Sequence, residues 1–113
     1  MIDVSLLICT RDRSTSLAAT LRSITHAAAQ APGIAVQVIL VDNGSTDDTP
    51  ALLADWRSRQ SFPVRLVRED RPGLARARNA GLAQVHGRIV AMIGGRSYKA
   101  SSFNRATQAR RQP

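Results

Sequence analysis

Residues 36–49 read VQVILVDNGSTDDT, and the change of character at Asp42 decides the fold. Val36 to Val41 is a near-continuous apolar, β-branched run, the composition of a strand covered on both faces. Asp42-Asn43-Gly44-Ser45 then makes a tight polar loop. Thr46 or Asp47 can cap a helix running from about Thr49 to Arg59, with Pro50 in its first turn. Leu52, Leu53 and Trp56 supply that helix with an apolar stripe.

The same unit recurs on both sides. Val4 to Cys9 reads as a buried strand, and Thr10 to Ser14 as a polar turn. SLAATLRSITHAAAQA, residues 16–31, reads as a helix with Leu17, Leu21 and Ile24 at helical spacing. Ser14 or Thr15 can cap it, and Pro32-Gly33 stops it. Val64 to Val67 is a third, shorter strand, and Arg71-Pro72-Gly73 a turn. Leu74 to Val85 is a third helix, with Leu74, Ala77, Arg78, Gly81, Leu82 and Val85 near one face. Ile89 to Ile93 is a fourth strand. The order β-α-β-α-β-α-β predicts an α/β fold with a mainly parallel sheet of about four strands covered by helices. Such sheets bind ligands outside the carboxyl ends of their strands. The polar clusters at 10–14, 42–46 and 94–98 all follow strand ends, so all are placed on that one edge.

The 113 residues suit one small domain. A hydrophobic content of 43% argues against wholesale disorder. The formal net charge of +8 asks for an anionic partner, and it is unevenly placed. Residues 94–113 hold Arg96, Lys99, Arg105, Arg110 and Arg111 with no Asp or Glu, and so carry most of it. Periodicity fades after about residue 93, which divides the chain into 1–93 and a basic tail, 94–113. Cys9 is the one cysteine, so no intrachain disulfide forms, and it reads as a buried, inert thiol. No apolar run reaches membrane-spanning length, and Asp3 stands where a signal peptide carries positive charge. The expected location is cytoplasmic, with peripheral contact at the inner membrane face allowed.

Three stretches could carry chemistry. Asp42 at a strand end can accept hydrogen bonds from a base N–H or a ribose hydroxyl, with Gly44 letting the backbone turn close to a ligand. Equally, Asp42 and Ser45 can simply cap a helix. In the segment 68–81, REDRPGLARARNAG, Arg76 and Arg78 can reach a phosphate or stack on a base, or stand as surface charges partly satisfied by Glu69 and Asp70. Asn79 and Gly81 run against helix propensity, which asks for a close-packing or hydrogen-bonding reason. In Thr10-Arg11-Asp12-Arg13, Asp12 can pair with either arginine and do nothing else. His26 and His86 lack metal-ligand spacing and read as surface histidines. Ser45 has no base partner in sequence, so a hydrolase triad is unsupported.

VSLLICTRDR, VILVDNGSTDDT and RPGLARARNAGL followed by GRIVAM together resemble the start of a family 2 glycosyltransferase of the GT-A fold. The three motifs stand in the family's order and cover about residues 3–93. The resemblance implies a three-layer αβα, Rossmann-like, nucleotide-binding half. It implies a nucleotide-diphosphate-sugar donor, a UDP-sugar first, and transfer to an acceptor hydroxyl with inversion. Residue by residue, Thr10 and Arg11 match the loop beside base and ribose, and Asp42 matches the carboxylate that contacts the base. Asn43, Gly44 and Ser45 complete that loop. Arg76 and Arg78 fall in the segment that approaches the nucleotide, with Asn79 and Gly81 as pattern residues.

The departure is at the end of the fourth strand. The family places two or three aspartates there to hold Mn²⁺ or Mg²⁺ against the phosphates, whereas this chain has Gly94, Gly95 and Arg96. No carboxylate follows Asp70. The family's acceptor-binding part and its carboxylate base are not matched either. The expectation is therefore a chain truncated or altered at its C-terminus and inactive by itself, with no catalytic and no metal-ligating residues. The alternative is a non-catalytic nucleotide-binding module, in which Arg96 and the Gly94-Gly95 amides take the metal's place. A nucleic-acid-binding role for the tail ranks last, since only Tyr98 and Phe103 could stack there. The acceptor, sugar or lipid, is not specified. An open sheet edge at the fourth strand predicts association into a homo-oligomer.

Overall fold

A computed structural model describes residues 1–93. The expectations placed on Gly94, Gly95, Arg96 and the rest of the tail lie outside the described residues. In chain order the elements are β1 (Val4–Thr10), α1 (Ser14–Gln30), β2 (Val36–Asp42), α2 (Thr49–Ser58), β3 (Val64–Arg68), α3 (Leu74–Leu82) and β4 (Ile89–Ile93). All strand pairs are parallel, and the sheet order is β3-β2-β1-β4. The chain steps outward from β1 to β3, then returns to lay β4 on the other side of β1. The strand order reverses between β1 and β4, which is where open α/β sheets bind ligands.

The alternation of side chains along β1 and β2 separates two cores. Val4, Leu6, Ile8, Val36, Val38 and Leu40 face Leu17, Leu21 and Ile24 of α1 and Leu53 and Trp56 of α2. Leu7, Ile39 and Val41 face Ala77 of α3. This gives the three layers expected, two helices on one face and one on the other. Every residue of β2 is buried. Among the described residues, no helix is long and apolar enough to cross a membrane.

Gln37 is a polar residue 5% exposed in this apolar setting, and its hydrogen bonds account for it. Ser5 Oγ donates to Gln37 Oε1 at 2.7 Å, and Gln37 Nε2 donates to the Gln84 carbonyl at 3.1 Å. The His86 amide donates to Gln37 Oε1 and the Gly87 amide to Ser5 Oγ. A Cβ on Gly87 would stand 2.6 Å from Ser5 Oγ, so only glycine lets the chain enter β4 this close to β1.

Three local expectations need correction, and one of the two alternatives for α2 is selected. Neither Ser14 nor Thr15 caps α1, whose cap position is Arg13 with no side-chain bond. For α2 it is Asp47, one residue before the cap position, whose Oδ1 accepts from the Thr49 amide at 2.9 Å. The apolar face of α3 is narrower than six residues: only Ala77 and Gly81 are buried, with Leu74 52% and Leu82 39% exposed. And α3 stops at Leu82 because the next turns tighten, with Gln84 N bonding Gly81 O and Val85 N bonding Leu82 O.

Candidate functional site

The last residues of three neighbouring strands form one row. Thr10 is in register with Asp42, and Asp42 with Arg68. Alternation places their side chains on the α1–α2 face, at the carboxyl edge of the sheet. The Asp42 side chain is 7% exposed and that of Arg68 48%. Arg68 Nη1 donates to Asp42 Oδ2 at 2.8 Å, Nε to Asp70 Oδ1 at 2.7 Å, and Nη2 to the Ser45 carbonyl at 3.4 Å. The bond to Asp70, with the charge of Asp42 adding to it, holds Arg68 still more firmly in its charged form. Thr10 is 4% exposed, and its hydroxyl has no hydrogen-bond partner among the described residues. A buried, unpartnered hydroxyl beside a buried carboxylate is a polar pair with capacity to spare.

Two loops close over this row. The Ser45 amide donates to Asp42 Oδ1 at 3.0 Å, and the Asp12 amide donates to Ser45 Oγ at 2.9 Å. Asp12 Oδ1 accepts from the amides of Thr46 and Asp47 at 2.8 and 3.2 Å. Asp12 therefore staples the β1 loop to the β2 loop rather than pairing with Arg11 or Arg13, and it does so at a φ of +47°. Asn43 Nδ2 donates to the carbonyls of Glu69 at 2.7 Å and Arg71 at 2.8 Å, which ties in the β3 loop. Gly44 sits at φ +75°, a region that favours glycine, although a Cβ there would find ordinary space, 3.6 Å from the Asp70 carbonyl. Arg71 pairs with Glu69 at 2.7 Å, and its hydrogen bonds hold the Glu69 carboxyl below its ordinary value. Bonds from Thr49 do the same for Asp47.

The structure thus brings Thr10, Asp42, Asn43, Gly44 and Ser45 together, with Arg11 exposed in the adjoining loop. Arg76 and Arg78 are exposed on α3, which packs on the opposite face from Asp42. No ion pair joins them to Glu69 or Asp70 among the described residues, since those carboxylates are taken by Arg71 and Arg68. Arg78 stands near enough to the half-buried Cys9 to oppose, in part, the upward push that burial gives its thiol. Gly81 has the close-packing reason its position asked for: a Cβ would overlap the Leu7 side chain. Asn79 is exposed, and its side chain forms no hydrogen bond among the described residues.

Arg68 was missing from the site read in sequence. Its signal was its position, one polar residue directly after an apolar strand run, as Thr10 and Asp42 are.

The divalent ion that the resemblance implies does not fit these residues. At this edge Asp12, Asp42, Asp47, Glu69 and Asp70 each already accept from an amide or a guanidinium. Among the described residues no three His, Cys, Asp or Glu side chains group to hold an ion.

The sequence model of the family described as "Glycosyl transferase family 2" matches residues 5–95. The chain belongs to that family. Among curated members, the succinoglycan biosynthesis protein ExoO of Rhizobium meliloti (strain 1021) is 42% identical over 73 residues, covering 64% of this chain and 20% of ExoO. The uncharacterized glycosyltransferase EpsJ of Bacillus subtilis (strain 168) is 28% identical over 78 residues, 68% of this chain and 22% of EpsJ. Among solved structures, S. aureus TarS 1-349 superposes with a TM-score of 0.80 at 20% identity, covering 95% of this chain and 32% of that one. TarS 1-349 has also been solved with UDP. The mannosyltransferase PcManGT of Pyrobaculum calidifontis, solved with GDP-Man and Mn²⁺, gives 0.72 at 26% identity, covering 81% and 27%. The family 2 chain described here spans about a fifth of the length of those curated relatives.

Proposed function

We propose that residues 1–93 form a donor-binding unit for a nucleoside-diphosphate sugar, a UDP-sugar first, and that the family reaction it serves is inverting glycosyl transfer to an acceptor hydroxyl. The observation that carries this reading is the buried Asp42 carboxylate at the strand edge, beside the Thr10 hydroxyl that has no hydrogen-bond partner among the described residues. A carboxylate there accepts the imide N–H that uracil presents. Arg11, exposed in the loop after β1, supplies positive charge for a phosphate, and Arg76 and Arg78 add exposed charge on α3, across the sheet from Asp42. UDP in one relative and GDP-Man in another support a nucleotide-sugar ligand.

On this reading the chain binds without a resident divalent ion, since among the described residues no three His, Cys, Asp or Glu side chains group to hold one. Within these 113 residues no carboxylate follows Asp70.

Calorimetric titration of the full chain with UDP, UDP-glucose, GDP and CDP, with and without a chelator, tests this. UDP and UDP-glucose should bind with the chelator present. Absence of binding by every nucleotide overturns the reading, and loss of binding on chelation overturns its metal-free part.

A further inference from the structure

We infer that Arg68 is a positioning residue that makes Asp42 selective for a pyrimidine presenting an N–H donor at N3. This rests on the nucleotide-binding reading above and deepens it.

Three of Arg68's nitrogens meet three acceptors on three segments: Asp42 on β2, the Ser45 carbonyl in the loop that follows, and Asp70 beyond β3. A planar fork with fixed donors can span these at once, and a lysine cannot. Each Asp42 oxygen consequently carries one protein N–H: Oδ1 that of Ser45, Oδ2 that of Arg68. An ionised carboxylate has about four acceptor sites and no donor. The sites left over accept a further N–H and repel a lone pair. Uracil presents an N–H at N3, and cytosine presents a lone pair there. Arg68 holds Oδ2 and the Ser45 amide holds Oδ1, so the carboxylate is fixed in one orientation and its remaining acceptor positions point in set directions. Asp70 is 77% exposed and pairs with Arg68, so it anchors the guanidinium from outside.

The test measures UDP and CDP affinities and the thermal midpoint for the full-length chain and for R68A, R68K and D70N. R68A should weaken UDP binding about tenfold, the scale of one charge-assisted hydrogen bond, while CDP binding, which has no N3–H to lose, holds. R68K should recover part of the preference, and D70N should lose part of it with UDP still bound. A merely structural role would lower both affinities together with the midpoint. R68A that keeps the wild-type preference overturns the inference, as does R68A that gains UDP affinity, since Arg68 would then be competing with the base. If R68A does not fold, wild-type preference in both R68K and D70N overturns it. A wild-type chain that binds UDP and CDP alike overturns this inference alone. A wild-type chain that binds neither overturns the nucleotide reading, and this inference with it.

Discussion

Gly81 of α3 lies directly against Leu7 of β1. A methyl group on Gly81 would overlap the Leu7 side chain and stand 2.8 Å from Val41 Cγ2. Both neighbours are core residues at 0–1% exposure, with no free space to rotate into. The helix axis is therefore set by the absence of a side chain at one position.

Gly81→Ala should destabilise the fold in spite of alanine's better helix propensity. The propensity gain is about 1 kcal/mol. Overpacking against two buried strands costs about 1–3 kcal/mol, and the helix must lift off the sheet to relieve it. Urea denaturation checks this, with a lower midpoint at unchanged slope as the expected result. A higher midpoint would show that α3 is free to shift.

Asn43→Ala should loosen the β3 loop selectively. The carboxamide donates to two carbonyls, Glu69 and Arg71, so its removal leaves two acceptors unpaired. Asn43 is 8% exposed, and the expected loss is about 1–3 kcal/mol. Hydrogen exchange should show faster opening at residues 69–73 with the β1 and β2 amides still protected. Unaltered exchange in that loop would mean its own Glu69–Arg71 pair holds it.

These contacts mark the boundary of what the sequence discloses. All seven elements were legible, because each is a run of apolar residues at one clear period closed by Pro, Gly or a polar turn. The strand ends were read one residue short. Thr10, Asp42 and Arg68 are polar, and pairing across an edge leaves no mark in a hydropathy pattern. That same shortfall placed Arg68 in a loop and hid its relation to Asp42, 26 residues away. The loop motif at 42–46 was correctly singled out. Yet Asn43 and Asp12 spend their polar groups on backbone partners 26–35 residues distant, which only the tertiary structure brings near. Gln37 was read only as one position in an apolar strand, because its partners lie on the next strand and in the turn before β4.

Acid should destabilise the chain through Glu69 and Asp47. Both carboxyls are held below their ordinary values of 4.5 and 3.8 by hydrogen bonds made only in the folded state. A depressed folded value means stability that is complete above the ordinary value and lost as pH falls through the folded one. The thermal midpoint should therefore begin to fall below about pH 4.5. Glu69→Gln and Asp47→Asn should each flatten that fall while lowering the midpoint at neutral pH. An acid limb that neither variant changes would assign it to other carboxylates.

The isolated chain should self-associate through β4. Among the described residues β4 pairs with β1 alone, so its outer side carries unpaired backbone groups. Its Met92 is 52% exposed, and Leu82 on α3 is 39% exposed. An edge strand that presents an apolar side chain is a template for a second strand. β3 at the other edge is better defended, carrying Arg65 and Arg68, both exposed. Light scattering should show a mean mass that rises with concentration above the 12.2 kDa of one chain. Met92→Lys should lower that rise with the thermal midpoint unchanged, since the substituted side chain is at the surface in the monomer. A mass fixed at one chain across the accessible concentrations would show the β4 edge to be shielded, and association in the lysine variant as strong as in the parent would move the contact elsewhere.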